Sequence, residues 1–287
     1  MNRLPTAKQA QILRSLTEGV SIRGTARLVG VSKTTALKLL VEVGAFCERY
    51  QDQTLRNLNC KTIQADELWA FVGAKPKHTE NPDFGDVWTF TAMDADSKLM
   101  VSWLVGQRTI DYARAFMLDL TSRLANRVQL TTDGHQMYLT AVEEAFGWNG
   151  VDYAMLVKKY ASHEGQTGER RYSPPVCTGT AKKWIMGQPV KELVSTSFVE
   201  RSNLTIRLMS RRFTRLTNAF SKKVGNHACA VALHFFAYNF CRPHQTLTKK
   251  AKGIKTTPAM AAGLTGHPWK MEDLLGLMGQ ERLLRLG

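Results

Sequence analysis

Apolar positions recur at helical spacing through the first forty residues and at strand spacing through the middle of the chain. Ala10 to Leu16 carry a helical pattern that stops near Gly19. Ile22 to Val29 carry a second, with Ile22, Ala26 and Val29 on one side. Lys33 to about Val43 carry a third, with Ala36, Leu37, Leu40 and Val43 turned inward. Ser21 and Ser32 stand where helix N-caps are needed, and Gly30 supplies the turn between them. The pattern predicts a helix-turn-helix. Ser32, Lys33, Thr34, Thr35 and Lys38 crowd the start of its last helix, where a recognition helix meets phosphates and base edges. An ordinary three-helix packing unit would not need that run. Residues 44–59 read as a helix running into a connector.

From Cys60 the period changes. Cys60–Gly73, Val87–Met93 and Leu99–Val105 read as strands, the last two joined by a hairpin turn at Asp94–Lys98. A helix at Ile110–Leu124, a strand at Val128–Gly134, a helix at Tyr138–Phe146 and a strand at Asp152–Val157 follow. The order β-β-β-α-β-α-β-α predicts an α/β mixed sheet of ribonuclease-H-like arrangement, with its chemistry at strand ends. Gly, Pro and Thr crowd residues 158–196, which read as an inserted loop. Phe198–Arg207 reads as a helix. Ala228–Phe240 is too short to cross a hydrocarbon layer of ~30 Å and reads as a buried helix. The expected organisation is a helix-turn-helix domain and connector at 1–58, a catalytic domain at 59–246 and a helical tail at 247–287. In that tail Leu274, Leu275, Leu277 and Met278 suit either a dimerisation element or a lid on the core.

Among 287 residues, 44% are hydrophobic and 22% charged, which excludes a disordered chain, a collagen and a membrane-embedded protein. Charge is the unusual quantity: 39 Lys and Arg against 24 acids give +15. A chain this basic points to a polyanion. The surplus sits in two blocks. Residues 1–50 hold eight basic side chains against three acidic, and residues 182–255 hold fifteen against two. A mildly acidic middle lies between two expected nucleic-acid surfaces. The five cysteines are scattered without a CxxC pair, which suits a reducing cytoplasm, and residues 1–19 carry too many charges for a signal peptide. His227, Cys229, Cys241 and His244 lack finger spacing and read as core packing.

Three acids in the predicted elements carry the chemistry. Asp66 and Asp133 lie in or at the end of strands that this arrangement places side by side, and Glu200 lies on the helix that follows. A carboxylate inside a strand is costly unless paired. At 100° per residue Glu200, Asn203, Arg207 and Arg211 share one face, read as outward, while Val199, Ile206, Met209 and Phe213 share the packed face. Carboxylate oxygens suit two Mg²⁺ ions, with Mn²⁺ as the alternative. Glu67 alternates to the face opposite Asp66 and is set apart. Trp69 reads as core rather than a base-stacking ring, and His135 is a candidate for proton transfer.

The strings ADELWAFVG, TTDGHQMY and TSFVERSNLTIR resemble the three acidic motifs of the insertion-sequence-one type of bacterial transposase, within the DDE transposase and integrase superfamily. The resemblance covers roughly residues 60–246, and YNFCRPHQTL is similar to a segment that follows the catalytic helix in that group. It implies that Asp66, Asp133 and Glu200 are the catalytic, metal-holding triad, and that Arg207, with Arg211 beyond it, contacts DNA. It implies an enzyme that binds terminal inverted repeats, exposes 3′-hydroxyl ends and joins them to target DNA. A dimer or larger assembly on DNA, in the bacterial cytoplasm and away from membranes, is expected. No cysteine precedes Cys47, so the zinc finger that this group often carries ahead of the helix-turn-helix is not expected. Two other readings stand beside this one: a helix-turn-helix regulator without catalysis, and a nuclease that cuts without joining.

Overall fold

Ser and Gly punctuation sets the first three helices, α1 (Thr6–Thr17), α2 (Ile22–Val29) and α3 (Lys33–Thr54). In this computed structural model, which describes residues 3–147, 150–160, 177–214 and 217–284, Ser21 Oγ accepts from Gly24 N and Ser32 Oγ from Thr35 N. Gly30 ends α2 in the left-handed region at φ 67°, which favours glycine. α3 does not stop near Val43. It continues unbroken to Thr54, because Val43, Phe46, Cys47 and Gln51 keep a buried stripe at helical spacing and nothing in the segment breaks the ladder. Of the stretch expected as a helix running into a connector, residues 44–54 are the second half of one 22-residue helix and 55–59 form the connector.

Six strands follow: β1 (Thr62–Val72), β2 (Gly85–Asp94), β3 (Met100–Gly106), β4 (Val128–Asp133), β5 (Val151–Tyr160) and β6 (Cys177–Met186). The helices α4 (Ile110–Arg123) and α5 (Met137–Phe146) connect β3 to β4 and β4 to β5. The sheet order is β3-β2-β1-β4-β5-β6. β1 runs antiparallel to β2 and parallel to β4, and β4 is parallel to β5. This is a mixed α/β fold consistent with the ribonuclease-H-like arrangement. β6 was not expected. It pairs antiparallel with β5 inside the stretch read as an inserted loop. As an edge strand it carries Thr178, Thr180, Lys182 and Lys183, partly or fully exposed, so no apolar alternation announces it. Of that expected loop, residues 158–160 end β5, and residues 161–176 lie outside the described residues.

Past the sheet come α6 (Ser197–Met209), α7 (Val224–Phe236) with a π-helical turn at Ala237–Cys241, and the short helices α8 (Gln245–Lys250) and α9 (Pro258–Ala261). α10 (Met271–Leu284) ends the described chain. One buried apolar cluster takes in Ala10 and Leu13 of α1, Leu40 and Phe46 of α3, Ile63 and Ala65 of β1, Phe236 of α7 and Leu274 of α10. It therefore runs across residues 58 and 59. α10 closes over α1 and α3 as a lid: Leu274, Leu275 and Met278 are buried, and Arg14 pairs with Glu272, Arg49 with Glu281 and Arg282 with Glu42. No helix of the described chain is long and apolar enough to cross a membrane.

α3 and α7 pack with almost no space between their backbones at Gly44. A Cβ there would lie 2.3 Å from the carbonyl oxygen of Cys229. Gly44→Ala is expected to destabilise the chain by about 1–3 kcal/mol, since the backbones must separate. Urea unfolding reads this directly, and an unchanged midpoint would mean that the two helices do not touch at this point.

Candidate metal centre

β1 and β4 pair in parallel, with Thr62 opposite Gln129, Ile63 opposite Leu130 and Gln64 opposite Thr131. Continued at the same offset, the register brings Asp66 level with Asp133 at the end of β4. The paired region ends at Gln64, and a cavity of about 520 Å³ opens beyond it. Asp66, Asp133, Glu200, His135, Lys158 and Thr196 line that cavity. The three acids expected from the sequence thus face one space.

α6 is seated there by β1. Gln64 Oε1 accepts from the backbone N–H groups of Phe198 (2.8 Å) and Val199 (3.2 Å), satisfying donors that a helix N-terminus leaves unpaired. One turn on, Asn203 Nδ2 donates to Asp66 Oδ2 at 2.8 Å. Thr91, across the β1–β2 pair from Asp66, donates its hydroxyl to the Asp66 carbonyl at 3.0 Å. The face of α6 read as outward therefore lies over the sheet. Asn203 is buried, and Glu200 is half-buried with its carboxylate bonded by the Lys158 ammonium and the Thr196 hydroxyl. Helical periodicity gives the angle between residues but not which way the helix is turned. Gln64 and Asn203 set that turn, and neither carries a signal in the sequence beyond its position near an acid.

Glu67 corrects the sequence reading more sharply. Alternation does put it on the opposite face of β1, yet one carboxylate oxygen each from Asp66, Glu67 and Asp133 lies within 4.8 Å of the other two. The longer Glu67 side chain reaches round the strand end where β4 has stopped. Its side chain is 1% exposed and pairs with Arg108 at 3.1 Å through Oε2, while the buried Oε1 has no hydrogen bond of ordinary geometry and only the Tyr138 hydroxyl beside the carboxyl to interact with. Beside it the fully buried Tyr138 hydroxyl is pushed well up in pKa by burial and by the Glu67 charge. Burial raises the Glu67 carboxyl, with Asp133 adding to the rise and the Tyr138 hydroxyl and then Arg108 opposing it.

Asp66 carries the largest consequence. Burial first, then the charges of Glu67 and Asp133, push its carboxyl up to about 7. His135, by contrast, is held below its ordinary value by burial and by Arg108. Three convergent oxygen donors and mutual repulsion among them fit a hard divalent cation. Asp66, Glu67 and Asp133 would hold one, with Glu200 facing the same space.

The positions expected to contact DNA fall elsewhere. Arg207 sits two turns along α6 from Glu200 and does not line the acid cavity. Arg211 does not share that helix, because α6 ends at Met209. It lines a groove of about 660 Å³ together with Arg23, Lys33, Arg212 and Lys222. Ser32 and Thr35 are spent on capping α3, where their hydroxyls also bond each other at 2.9 Å, while Lys33, Thr34 and Lys38 are exposed. His227, once weighed for zinc, is buried with Nδ1 against Ser221 Oγ at 3.0 Å.

No protein-family model matches the chain, and no curated protein matches it. Among solved structures the chain is similar to a pre-cleavage Mos1 transpososome, at 12% identity over 53% of this chain and 60% of that one, with a TM-score of 0.23. It is also similar to an Argonaute of Aquifex aeolicus, at 9% identity over 60% of this chain and 28% of that one, with a TM-score of 0.24. The chain spans less than two thirds of each of these, and likenesses this weak carry no argument about what it does.

Two outcomes follow from the acid cluster. Asp66 holds its proton up to about pH 7 when folded but releases it near 3.8 when unfolded, so rising pH between those values lowers stability. Asp66→Asn should therefore raise the unfolding free energy of the metal-free chain, more at pH 8 than at pH 4, by an amount bounded at about 4 kcal/mol and read from urea unfolding at the two pH values. Equal shifts at both pH values would show that Asp66 is not a strained acid. Glu67→Gln should weaken Mn²⁺ binding at least about tenfold by calorimetry; an unchanged affinity would return Glu67 to a purely structural pairing with Arg108.

Proposed function

We propose that the chain is a metal-dependent polynucleotidyl transferase, a DDE-type DNA transposase of the insertion-sequence-one kind. The observation that carries this reading is the single cavity faced by Asp66, Asp133 and Glu200, where β4 ends beside the middle of β1 and under α6, in a chain of net charge +15. An acidic cage suits the cations of phosphodiester chemistry, and the basic surplus suits the substrate. The chemistry supplied by a bound pair of divalent ions, Mg²⁺ in this proposal, is activation of the attacking oxygen and stabilisation of the leaving one.

The side chains divide the remaining work. Asp66 and Asp133 offer oxygen donors to the cavity, a Glu67 oxygen lies within 4.8 Å of one from each, and Asn203 fixes the Asp66 carboxylate through Oδ2. Lys158 neutralises Glu200 and, once Glu200 turns to the cage, is left facing the cavity with a positive charge for a phosphate. Lys33, Thr34 and Lys38, exposed at the tip of α3, meet duplex backbone and base edges, with Arg207 and Arg211 adding phosphate contacts. The ends bound are the inverted repeats of the element. Cleavage exposes 3′-hydroxyls, which attack target DNA in line, and a dimer or larger assembly brings two ends together.

Asp66→Asn, Asp133→Asn and Glu200→Gln should each lower Mg²⁺-dependent nicking of end-bearing duplex by about a hundredfold or more, with duplex binding kept within about twofold. Joining of pre-cut ends to a target plasmid separates a transposase from a nuclease that only cuts. Full activity of Glu200→Gln, or activity indifferent to EDTA, would remove the proposal in favour of a regulator.

A further inference from the structure

Glu67, Trp69 and Phe71 alternate along β1 and share one face of the sheet. Trp69 pairs across the ladder with Trp88 of β2. The Trp69 and Phe71 rings lie 6.0 Å apart, and Phe71 meets Phe220 at 4.7 Å, both pairs tilted by 34°. A cation stands over three of the rings: Arg108 at 4.5 Å from Trp88, Lys75 at 5.9 Å from Phe71 and Lys222 at 4.2 Å from Phe220. Trp69, Phe71, Trp88 and Phe220 are all only half-buried, and the three cations are exposed. Trp69, Phe71 and Phe220 belong to neither buried apolar cluster of the described chain. The expectation that Trp69 is a core residue therefore fails. The row starts at Arg108, which holds Glu67 at the metal centre, and leads away along β1.

We propose that this aromatic row is a stacking track for an unpaired nucleic-acid strand that passes the acid cavity on the far face of β1. It rests on the reading of that cavity as a polynucleotide site. Charge complementarity commits it to this occupant: a cation stands at three of its rings, and its far end, Phe220 and Lys222, lines the groove that also holds Arg23, Lys33 and Arg212. Bases of any sequence have faces that stack on exposed rings, and flanking cations follow the backbone phosphates. A duplex keeps its bases stacked on each other and cannot use such a row. The Lys75 and Lys222 ammonium groups would turn from ring to phosphate as the strand lies down.

The test measures binding in EDTA, so that cleavage plays no part. A fluorophore-labelled single strand of about 15 nucleotides, and the duplex of the same sequence, are titrated with the full chain and read by anisotropy. Trp69→Leu keeps the apolar bulk and removes the ring. It should weaken single-strand binding about tenfold and leave duplex binding within about twofold. Phe220→Leu, which lies outside the sheet, should act in the same direction and decides the matter if Trp69→Leu does not fold. Equal weakening of both forms, or no change in either, overturns the track while leaving the proposed function standing. Failure of the wild-type chain to bind either form overturns both.

Discussion

Four carboxylates crowd the place where β4 ends beside the middle of β1, and like charges in a poorly solvated place repel strongly. Everything near the cavity can be understood as the management of that repulsion. Arg108 neutralises Glu67 from one face of the sheet, Lys158 neutralises Glu200 from the other side of the cavity, and Asp66 sheds its charge by keeping a proton until about pH 7. Without a cation, the arrangement is held by partners that each acid can exchange. A divalent ion replaces several of these at once. The cost of bringing the acids together is therefore the source of the site's affinity, because the folded chain has already met it.

The sheet supplies the constraint that makes the crowding unavoidable. Asp66 and Asp133 are separated by the same sequence offset that relates paired residues of β1 and β4, so no loop has to find the geometry. Glu200 depends on a different device. α6 would be free to roll on its apolar stripe of Val199 and Ile206, and Gln64 and Asn203 stop that by hydrogen-bonding at successive turns to the same strand. A polar pair fixes orientation where apolar packing only fixes contact.

These two devices explain how much was legible. The strands bearing Asp66 and Asp133, the hairpin at Asp94–Lys98 and the caps at Ser21 and Ser32 all show in the sequence, because each rests on local periodicity or local hydrogen bonding. Glu67 was misjudged, since alternation describes the interior of a strand and not its reach past the end of a shorter neighbour. The turn of α6 and the edge strand β6 were also illegible. Both depend on partners distant in the chain, and an edge strand with solvent on two sides leaves no apolar alternation. Arg211 was placed by extending a helix that stops at Met209.

The length of α3 bears on how the two halves of the chain act together. At 22 residues it spans roughly 33 Å, with Lys33, Thr34 and Lys38 exposed at one end. At the other end Gln51 donates to the Ala232 carbonyl at 3.2 Å and accepts from Asn239, whose amide also exchanges two hydrogen bonds with the Met100 backbone of β3. That buried network joins α3, α7 with its π-turn, and the sheet without a flexible linker. On the proposed reading, duplex gripped at the tip of α3 is held at a fixed distance from the acid cavity. The choice of where to cut would then be set by the span of one rigid helix, and a recognition helix that stopped near Val43 would leave that distance undefined.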